Sequence, residues 1–473
     1  MSAIRTIVFH CIAGLRSLVP FFVQLREVGA RYTRTDLQWI LLILVLAGVL
    51  RFPFLDHPAN PQFDEVVYSR YAVNLLDGIP AFDIHPPLVR MLFAVIAQES
   101  EPFSMRSFPI PAFSNQPFLD FPYIPLRTTV AFFGTLLPLL LYGISRLLGA
   151  TPRWAGLVAL FVVIDPAFIV YSRAILPDTI LLAVEMGALL AALAAVQSET
   201  TRGKVGFALL AALALGAAVS IKWIALSIVG VVGLLYLFHR RWKTILATGV
   251  VMAGVYVSSF LMLSLSFFPY GGVTDPLIPA YDVPWVRELV FPAHPSVSDA
   301  LTTMRDWHEV SIKTNQNIEL NTEILQAPGP TTWAVAKSSI IFWIDGTGGA
   351  IWLQGNALLW NLAFFLFLFE IGWIASQVRS RRVWPIDHTE TILLLGYIGS
   401  YLPFFFINRP MFLYHYFLAL LFLFLLVPKV APRAIACLGS VTNDALFAKV
   451  FSIVILLLIL VASLISFPVV YGF

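Results

Sequence analysis

Residues 63–88 read FDEVVYSRYAVNLLDGIPAFDIHPPL, a polar stretch in a chain that is otherwise mostly apolar. Two adjacent carboxylates, Asp64 and Glu65, precede a run that favours a helix and stops at a Gly-Ile-Pro break. The prolines after His85 disfavour helical backbone at that residue, so we expect it to be extended just before a new helix. Asp64 stands where a helix N-cap would stand, and capping alone could explain it. The pattern predicts two short helices whose ends gather four polar residues: Asp64, Glu65, Asp83 and His85.

The composition is that of a membrane protein. The 473 residues are 59% hydrophobic and 12% charged, with a mean hydropathy of +0.83, whereas a soluble domain carries roughly 25% charged residues. Apolar runs long enough to cross about 30 Å of hydrocarbon fall at 37–55, 124–146, 153–171, 174–196, 204–220, 223–239, 244–266, 351–376, 389–407, 411–428 and 447–468. We therefore expect an all-α polytopic protein with about eleven transmembrane helices.

The charges predict the orientation. Most of the 30 lysines and arginines fall in loops on the side of the N-terminus, and basic loops stay in the cytoplasm. This divides the chain into a cytoplasmic segment, 1–36, and one transmembrane domain, 37–473. Two long loops that carry short helices, 56–123 and 267–350, then face outward, and they hold most of the 27 acidic residues.

The sequence gives little indication of disulfides, cysteine zinc sites, nucleotide-binding loops or nucleic-acid sites. Cys11 and Cys437 are too far apart in the chain to indicate a disulfide framework or a cysteine zinc site. No internal repeat, nucleotide-binding loop or basic aromatic patch for nucleic acid is present. Carboxylates and imidazoles can ligate hard metals or zinc, so a divalent metal remains an alternative that would involve Asp64, Glu65, His85 and His308.

Several charges fall where predicted spans end, and a charge inside the bilayer costs about 2.5–3.5 kcal/mol on insertion scales. Arg173 and Asp178 could form a local ion pair, and Lys222 could extend its ammonium to the interface. Alternatively, the cations at this outer level bind a phosphate carried in the lipid: Arg51, Arg127, Arg173, Lys222 and Arg409. Glu185 is expected to face the bundle, to be hydrogen-bonded and to have no catalytic role.

Several segments, in the same order along the chain, resemble the protein O-mannosyltransferases, which transfer mannose from a polyprenyl (dolichyl) phosphate to Ser or Thr. The segments are Phe63-Asp64-Glu65-Val66, Asp83-Ile84-His85-Pro86-Pro87-Leu88, Ser172-Arg173-Ala174-Ile175-Leu176-Pro177-Asp178, Val219-Ser220-Ile221-Lys222-Trp223, Gly355-Asn356-Ala357, Tyr401-Leu402-Pro403 and Phe412-Leu413-Tyr414-His415-Tyr416-Phe417. Pro177 replaces a leucine of the family pattern and Ala357 a proline. The resemblance covers about 50–430 and implies a GT-C glycosyltransferase bundle with an outward-facing site.

The resemblance also implies roles by position. Asp64 would be the catalytic base and Glu65 its essential neighbour. The remaining matched positions would bind substrate: Arg51, Asp83, His85, Arg127, Arg173, Asp178, Lys222, Arg409, Tyr414 and His415. The donor would be polyprenyl- or dolichyl-phosphate mannose, the acceptor a secreted or membrane protein, and the displacement would invert the anomeric centre.

Some features depart from the family or leave alternatives open. The segment 321–333 lacks the family's His-Pro-Tyr stretch, and the second loop is too short for the MIR domain of eukaryotic members. The absence of an Asn-x-Ser/Thr sequon and of a C-terminal retention signal favours a prokaryotic plasma membrane.

Two other functions remain as alternatives to protein mannosylation. A GT-C transferase that moves the sugar to a lipid or glycan is one alternative. A transporter or flippase is another, although transporters place charges near the midplane and contain repeats.

Overall fold

The computed structural model describes residues 33–100, 116–118, 120–267, 269–273, 282–317, 329–344, 349–381, 384–407, 411–442 and 444–465. Arg409 and nearly all of the predicted cytoplasmic segment lie outside these ranges.

The helices of the first half are α1 (Arg34–Arg51), α2 (Glu65–Leu76), α3 (Leu88–Ser100), α4 (Tyr123–Leu147), α5 (Pro152–Ile164), α6 (Pro166–Tyr171), α7 (Pro177–Gln197), α8 (Thr201–Ile221), α9 (Leu226–Phe238) and α10 (Trp242–Ser266). Those of the second half are α11 (Pro284–Arg287), α12 (Val297–Asn317), α13 (Ala357–Arg381), α14 (His388–Tyr401), α15 (Phe417–Thr442) and α16 (Ala445–Ile465). Strands β1 (Gly271–Gly272), β2 (Val290–Phe291), β3 (Ser339–Ile344) and β4 (Ala350–Gln354) form two antiparallel pairs, β1–β2 and β3–β4.

Within the described residues, 7 helical segments are long and apolar enough to cross a membrane: Tyr123–Leu147, Pro177–Gln197, Thr201–Ile221, Trp242–Ser266, Ala357–Ser380, His388–Phe406 and Leu413–Thr442. Shorter apolar helical segments are Pro152–Ile164, Trp223–Phe238 and Ser452–Ile465. The prediction of a helical membrane bundle is confirmed, and the count of eleven spans stays a prediction.

Two predicted spans differ from the structure. The run 153–171 is divided because Pro166 has no N–H to continue the helix, and the Asp165 carboxylate accepts the N–H of Ala167 at 3.0 Å to begin α6. The span predicted from 351 begins later, since residues 350–354 pair with β3. A short apolar run does not by itself distinguish a strand from the start of a helix.

The two long loops pack against each other at one end of the bundle. The N–H of Phe63 donates to the carbonyl of Phe342 in β3 at 2.8 Å, and the rings of Phe82 and Trp307 lie 5.4 Å apart. Residues of both loops therefore contact each other at this end of the bundle, and the prediction that the two loops face outward stays a prediction.

Candidate active site

Asp64 is the N-cap residue of α2, but its side chain forms no capping hydrogen bond. Its backbone carbonyl accepts the N–H groups of Val67 and Tyr68 instead. Within the part of the chain that the structure describes, the Asp64 carboxylate has no hydrogen-bond partner. The capping explanation is therefore wrong for this side chain.

The backbone before Asp64 is held in an uncommon conformation. Phe63 has φ +48°, in the left-handed region that costs free energy for a residue with a bulky side chain. Its N–H is bound to Phe342, and the two rings stack at 5.3 Å with an interplanar angle of 13°. The β3–β4 hairpin of the second loop thus fixes the turn that presents Asp64.

The Glu65 carboxylate anchors the start of α2. Arg127 donates Nε to its Oε1 at 2.8 Å and Nη2 to its Oε2 at 2.6 Å, and both side chains are fully buried. The backbone N–H groups of Gln62 and Ile175 each donate to the same carboxylate at 2.7 Å. The remaining Arg127 donors bind the carbonyls of Leu55, Pro58 and Asn60. All five N–H donors of Arg127 are therefore used within the protein, and none remains for a phosphate.

Arg51 and Arg173 bind the ends of neighbouring helices. Arg51 donates to the carbonyls of Val162 at 2.9 Å and Val163 at 3.4 Å, near the end of α5. Arg173 donates to three carbonyls at and after the end of α1: those of Arg51, Pro53 and Phe54. The last carbonyls of a helix lack intrahelical partners and carry partial negative charge. These hydrogen bonds of Arg51 and Arg173 therefore join helix ends within the protein.

A cavity of about 580 Å³ opens at this end of the bundle. Four of the predicted site residues line it: His85, Asp178, Lys222 and His415. Its other walls come from the start of α9, the end of α12 and the turn after α14. Tyr414 lies beside this group, since the Lys222 Nζ is 5.3 Å from the Tyr414 ring centroid. The Asp64 carboxylate is close enough for the charges of Lys222 and Asp178 to act on it.

Lys222 and Asp178 form the buried ion pair of this cavity. The Lys222 Nζ lies 2.8 Å from each oxygen of the Asp178 carboxylate, and the hydroxyl of Tyr171 donates to the same carboxylate at 3.0 Å. An ammonium has three N–H donors, so one remains for a ligand when two are directed at Asp178.

The charges around Asp64 affect its proton affinity. Burial raises the pKa of Asp64 to about 6; Lys222 opposes this rise, while Asp178 and Asp83 add to it. Burial also raises the pKa of Asp83, against the lowering effect of Arg90 and then Lys222. A carboxylate with a pKa close to the working pH is suited to general-base catalysis.

Arg90, which belongs to none of the motifs described above, positions the Asp83–His85 turn. Its Nη2 donates to the His85 carbonyl at 2.6 Å, and its Nη1 lies 3.9 Å from Asp83 Oδ2. Its guanidinium packs 4.5 Å from the ring centroid of Tyr71 and 5.0 Å from that of Trp307. An arginine inside an apolar helical run was the available signal, since arginine is rarely buried without partners.

The end of α12 also contributes residues that the sequence did not indicate. Asn315 and Gln316 line the cavity, and the amide of Asn315 donates to the Ser311 carbonyl at 2.9 Å. On a polar helix such residues resemble ordinary exposed side chains, so nothing in the sequence distinguished these two from their exposed neighbours.

Two of the residues proposed as metal ligands, Glu65 and His308, are engaged in other contacts. The Nε2 of His308 lies 2.7 Å from the Tyr256 hydroxyl, and its ring stacks on Trp223 at 5.5 Å. Among the described residues, no three His, Cys, Asp or Glu side chains are grouped so that they could hold a metal ion.

Two family models match most of the chain. Residues 41–276 match the model described as dolichyl-phosphate-mannose-protein mannosyltransferase, and residues 301–473 match that of the C-terminal four TMM region of protein-O-mannosyltransferase. The chain belongs to the protein O-mannosyltransferase family.

Curated relatives agree with this assignment. The chain is 28% identical over 250 residues to dolichyl-phosphate-mannose–protein mannosyltransferase 1 of Candida albicans, covering 49% of this chain and 28% of that protein. It is 30% identical over 155 residues to protein O-mannosyl-transferase 1 of Homo sapiens, covering 30% of this chain and 21% of that protein. The matched regions thus span less than a third of the length of these relatives.

The fold is also found in solved structures. The S. cerevisiae protein O-mannosyltransferase Pmt1-Pmt2 complex bound to the sugar donor matches with a TM-score of 0.73 and 17% identity, over 93% of this chain and 91% of that one. The Archaeoglobus fulgidus oligosaccharyltransferase tethered with an acceptor peptide matches with a TM-score of 0.52 and 14% identity, over 93% of this chain and 55% of that one. The predicted family resemblance and its GT-C fold are confirmed.

Proposed function

We propose that this family member transfers a mannosyl residue from a polyprenyl or dolichyl phosphate to Ser or Thr hydroxyls of secreted or membrane proteins. The observation that carries the proposal is the position of Asp64, a carboxylate with a pKa raised to about 6 beside the buried Lys222–Asp178 pair. The relatives' names and the donor bound to the yeast complex support the same donor class.

In the proposed reaction Asp64 takes the proton of the acceptor hydroxyl, whose oxygen attacks the anomeric carbon of the sugar. The bond between that carbon and the phosphate oxygen breaks, the polyprenyl phosphate leaves, and the anomeric centre is inverted. The remaining N–H of Lys222 binds the phosphate, on which negative charge grows as the bond breaks. Preorganised donors lower the barrier most when they are directed at such developing charge. Glu65 acts through position, because its carboxylate is fully engaged by Arg127 and two backbone N–H groups.

The cavity suits a donor with a polar head and an apolar tail. Its polar wall contains Asp178 and Lys222, and its apolar wall includes Leu226 and Ile407. Leu226 is 55% exposed and Ile407 is 40% exposed, so this wall suits an apolar polyprenyl chain.

The proposal includes the finer assignments from the sequence. Residues 37–473 form one GT-C domain in a multi-pass protein of a prokaryotic plasma membrane, and the site faces outward. Asp83, His85, Tyr414 and His415 contact the substrates, and Arg409 remains a predicted phosphate ligand. The sequence also placed Arg51, Arg127 and Arg173 among the phosphate ligands; we propose instead that they hold the surrounding loops through backbone carbonyls.

A reconstituted assay tests this function. The purified protein in liposomes is given labelled polyprenyl-phosphate mannose with a Ser/Thr peptide or with the same peptide in which alanine replaces Ser and Thr. Label on the Ser/Thr peptide alone is expected. Label on a lipid or glycan acceptor only, or movement of uncleaved donor across the membrane, would overturn the proposal.

A further inference from the structure

A second cavity lies away from the candidate active site. It has a volume of about 550 Å³ and is lined by residues of α13, of α14 and of the segment between them. Both helices pack on α15, and the cleft lies between them. Buried Ile374 and Leu394 line it together with exposed Ile371 and Leu395. Its size is within the roughly 300–1,000 Å³ of small-molecule sites.

The cleft and the active-site cavity occupy different parts of α14. Gly399 and Ser400 line the active-site cavity, whereas residues between Thr391 and Ile398 line the cleft. The mouth of the cleft is at the opposite end of α14 from the active site.

The polar residues that line the cleft lie at its mouth. Arg379 is exposed there and has no ion-pair partner among the described residues. Trp384 is 55% exposed and donates its Nε1–H to the Thr391 hydroxyl at 2.9 Å. Tryptophan and arginine at the end of an apolar helix are typical of the level of lipid headgroups. The sequence continues with Arg381 and Arg382, so three arginines fall within residues 379–382 of the sequence.

We propose that the cleft binds one anionic phospholipid of the leaflet opposite the active site. An acyl chain fills the apolar groove between α13 and α14, and the lipid phosphate binds the Arg379 guanidinium. Charge complementarity selects the occupant, because basic residues at the end of a membrane helix attract anionic headgroups. A zwitterionic lipid offers the same chains but no net charge.

Native mass spectrometry of the purified full chain tests the proposal, with titration by phosphatidylglycerol or phosphatidylcholine of identical acyl chains. The wild-type protein should retain a phosphatidylglycerol more tightly, and Arg379→Gln should reduce that preference by about fivefold. Arg202→Gln is the matched control, since Arg202 is also exposed, in the first turn of α8. Ala375→Leu, which narrows the cleft, should reduce retention of both lipids.

Each of the following results would overturn the proposal. Equal retention of the two lipids would remove the headgroup preference. An equal loss in Arg379→Gln and Arg202→Gln would show attraction to surface charge in general, and an unchanged Ala375→Leu would place the lipid outside the cleft. Thermal unfolding of each variant verifies that it is folded.

Discussion

The carboxylate of Glu65 and the guanidinium of Arg127 form a fully buried bidentate ion pair, with N–O distances of 2.8 and 2.6 Å. This pair joins the first residue of α2 to α4 and, through Arg127, to the carbonyls of Leu55, Pro58 and Asn60. Of the two adjacent carboxylates, Glu65 is therefore bound into the scaffold, whereas the Asp64 carboxylate has no hydrogen-bond partner among the described residues.

Breaking this pair should destabilise the protein. Glu65→Gln leaves the Arg127 charge buried without its partner, and loss of one member of a buried pair costs about 3–5 kcal/mol. We expect a lower unfolding temperature in detergent and a parallel loss of transferase activity. Combining Glu65→Gln with Arg127→Met should cost less than the sum of the single changes, since the double variant buries no unpaired charge. Additive losses would contradict the assigned role of the pair.

Lys222→Gln should weaken donor binding. The ammonium is the cation that the structure places in the cavity wall, and its loss should raise the donor KM by about tenfold or more while the acceptor KM changes little. Lys337→Gln is the control, because Lys337 is an exposed lysine of the second loop. An unchanged donor KM in Lys222→Gln would place the phosphate elsewhere.

Gly355→Ala should destabilise the junction before α13. A Cβ at residue 355 would lie 2.2 Å from the Trp360 ring, and overpacking of this kind costs about 1–3 kcal/mol. The Trp360 indole cannot move easily because its Nε1–H donates to the Asp165 carboxylate at 2.7 Å. Gly372→Ala is the matched control within α13, where a Cβ meets nothing within 4 Å. Equal unfolding temperatures for the two variants would contradict this packing.

The activity should depend on pH through Asp64. Its pKa of about 6 means that the base becomes protonated as the pH falls through that value, so kcat/KM should fall by about tenfold per unit below it. Above about pH 7 the profile should be flat. A profile that remains flat down to pH 4–5 would be inconsistent with Asp64 as the base.

The same shift predicts a change in stability. The pKa is raised in the folded chain relative to its ordinary value of 3.8, so the stability that Asp64 contributes is present below that value and is lost as the pH rises through about 6. Asp64→Asn should therefore unfold at a higher temperature than the wild-type protein near pH 8, with the difference disappearing near pH 4. A difference that is the same at both pH values would contradict the shift.

The sequence predicted the parts of the fold that hydrophobicity determines. Most apolar runs form helices; Asp64 precedes the first of the two short helices that the Gly and Pro residues suggested, and Asp83 and His85 lie between the two. The hydrogen-bond partners of the buried arginines could not be predicted from hydrophobicity. Arg127 donates to Glu65, which is separated from it by 62 positions in the chain. Arg173 donates to the carbonyl of Arg51, at a separation of 122 positions. Such partners depend on how helices pack rather than on local pattern.

Glu185 illustrates the same limit. It is buried inside the bundle as predicted, but the prediction that it is hydrogen-bonded is wrong within the described residues, where neither carboxylate oxygen has a partner. The helical spacing of apolar residues along a sequence indicates which face of the helix a side chain lies on. It does not indicate whether a donor from another helix reaches the same depth.

Sugar transfer by Asp64→Asn tests the central claim most directly. Asparagine has nearly the same shape, and the Asp64 side chain makes no capping hydrogen bond that the change could remove, so the variant should fold and bind donor normally but lack the proton acceptor. Asp120→Asn, an exposed carboxylate of the same loop, is the matched control. With equal amounts of folded protein, we expect Asp64→Asn to lose about 10²–10⁴-fold in transfer rate and Asp120→Asn to retain normal activity. A transfer rate in Asp64→Asn close to that of the wild-type protein would contradict the assignment of Asp64 as the catalytic base.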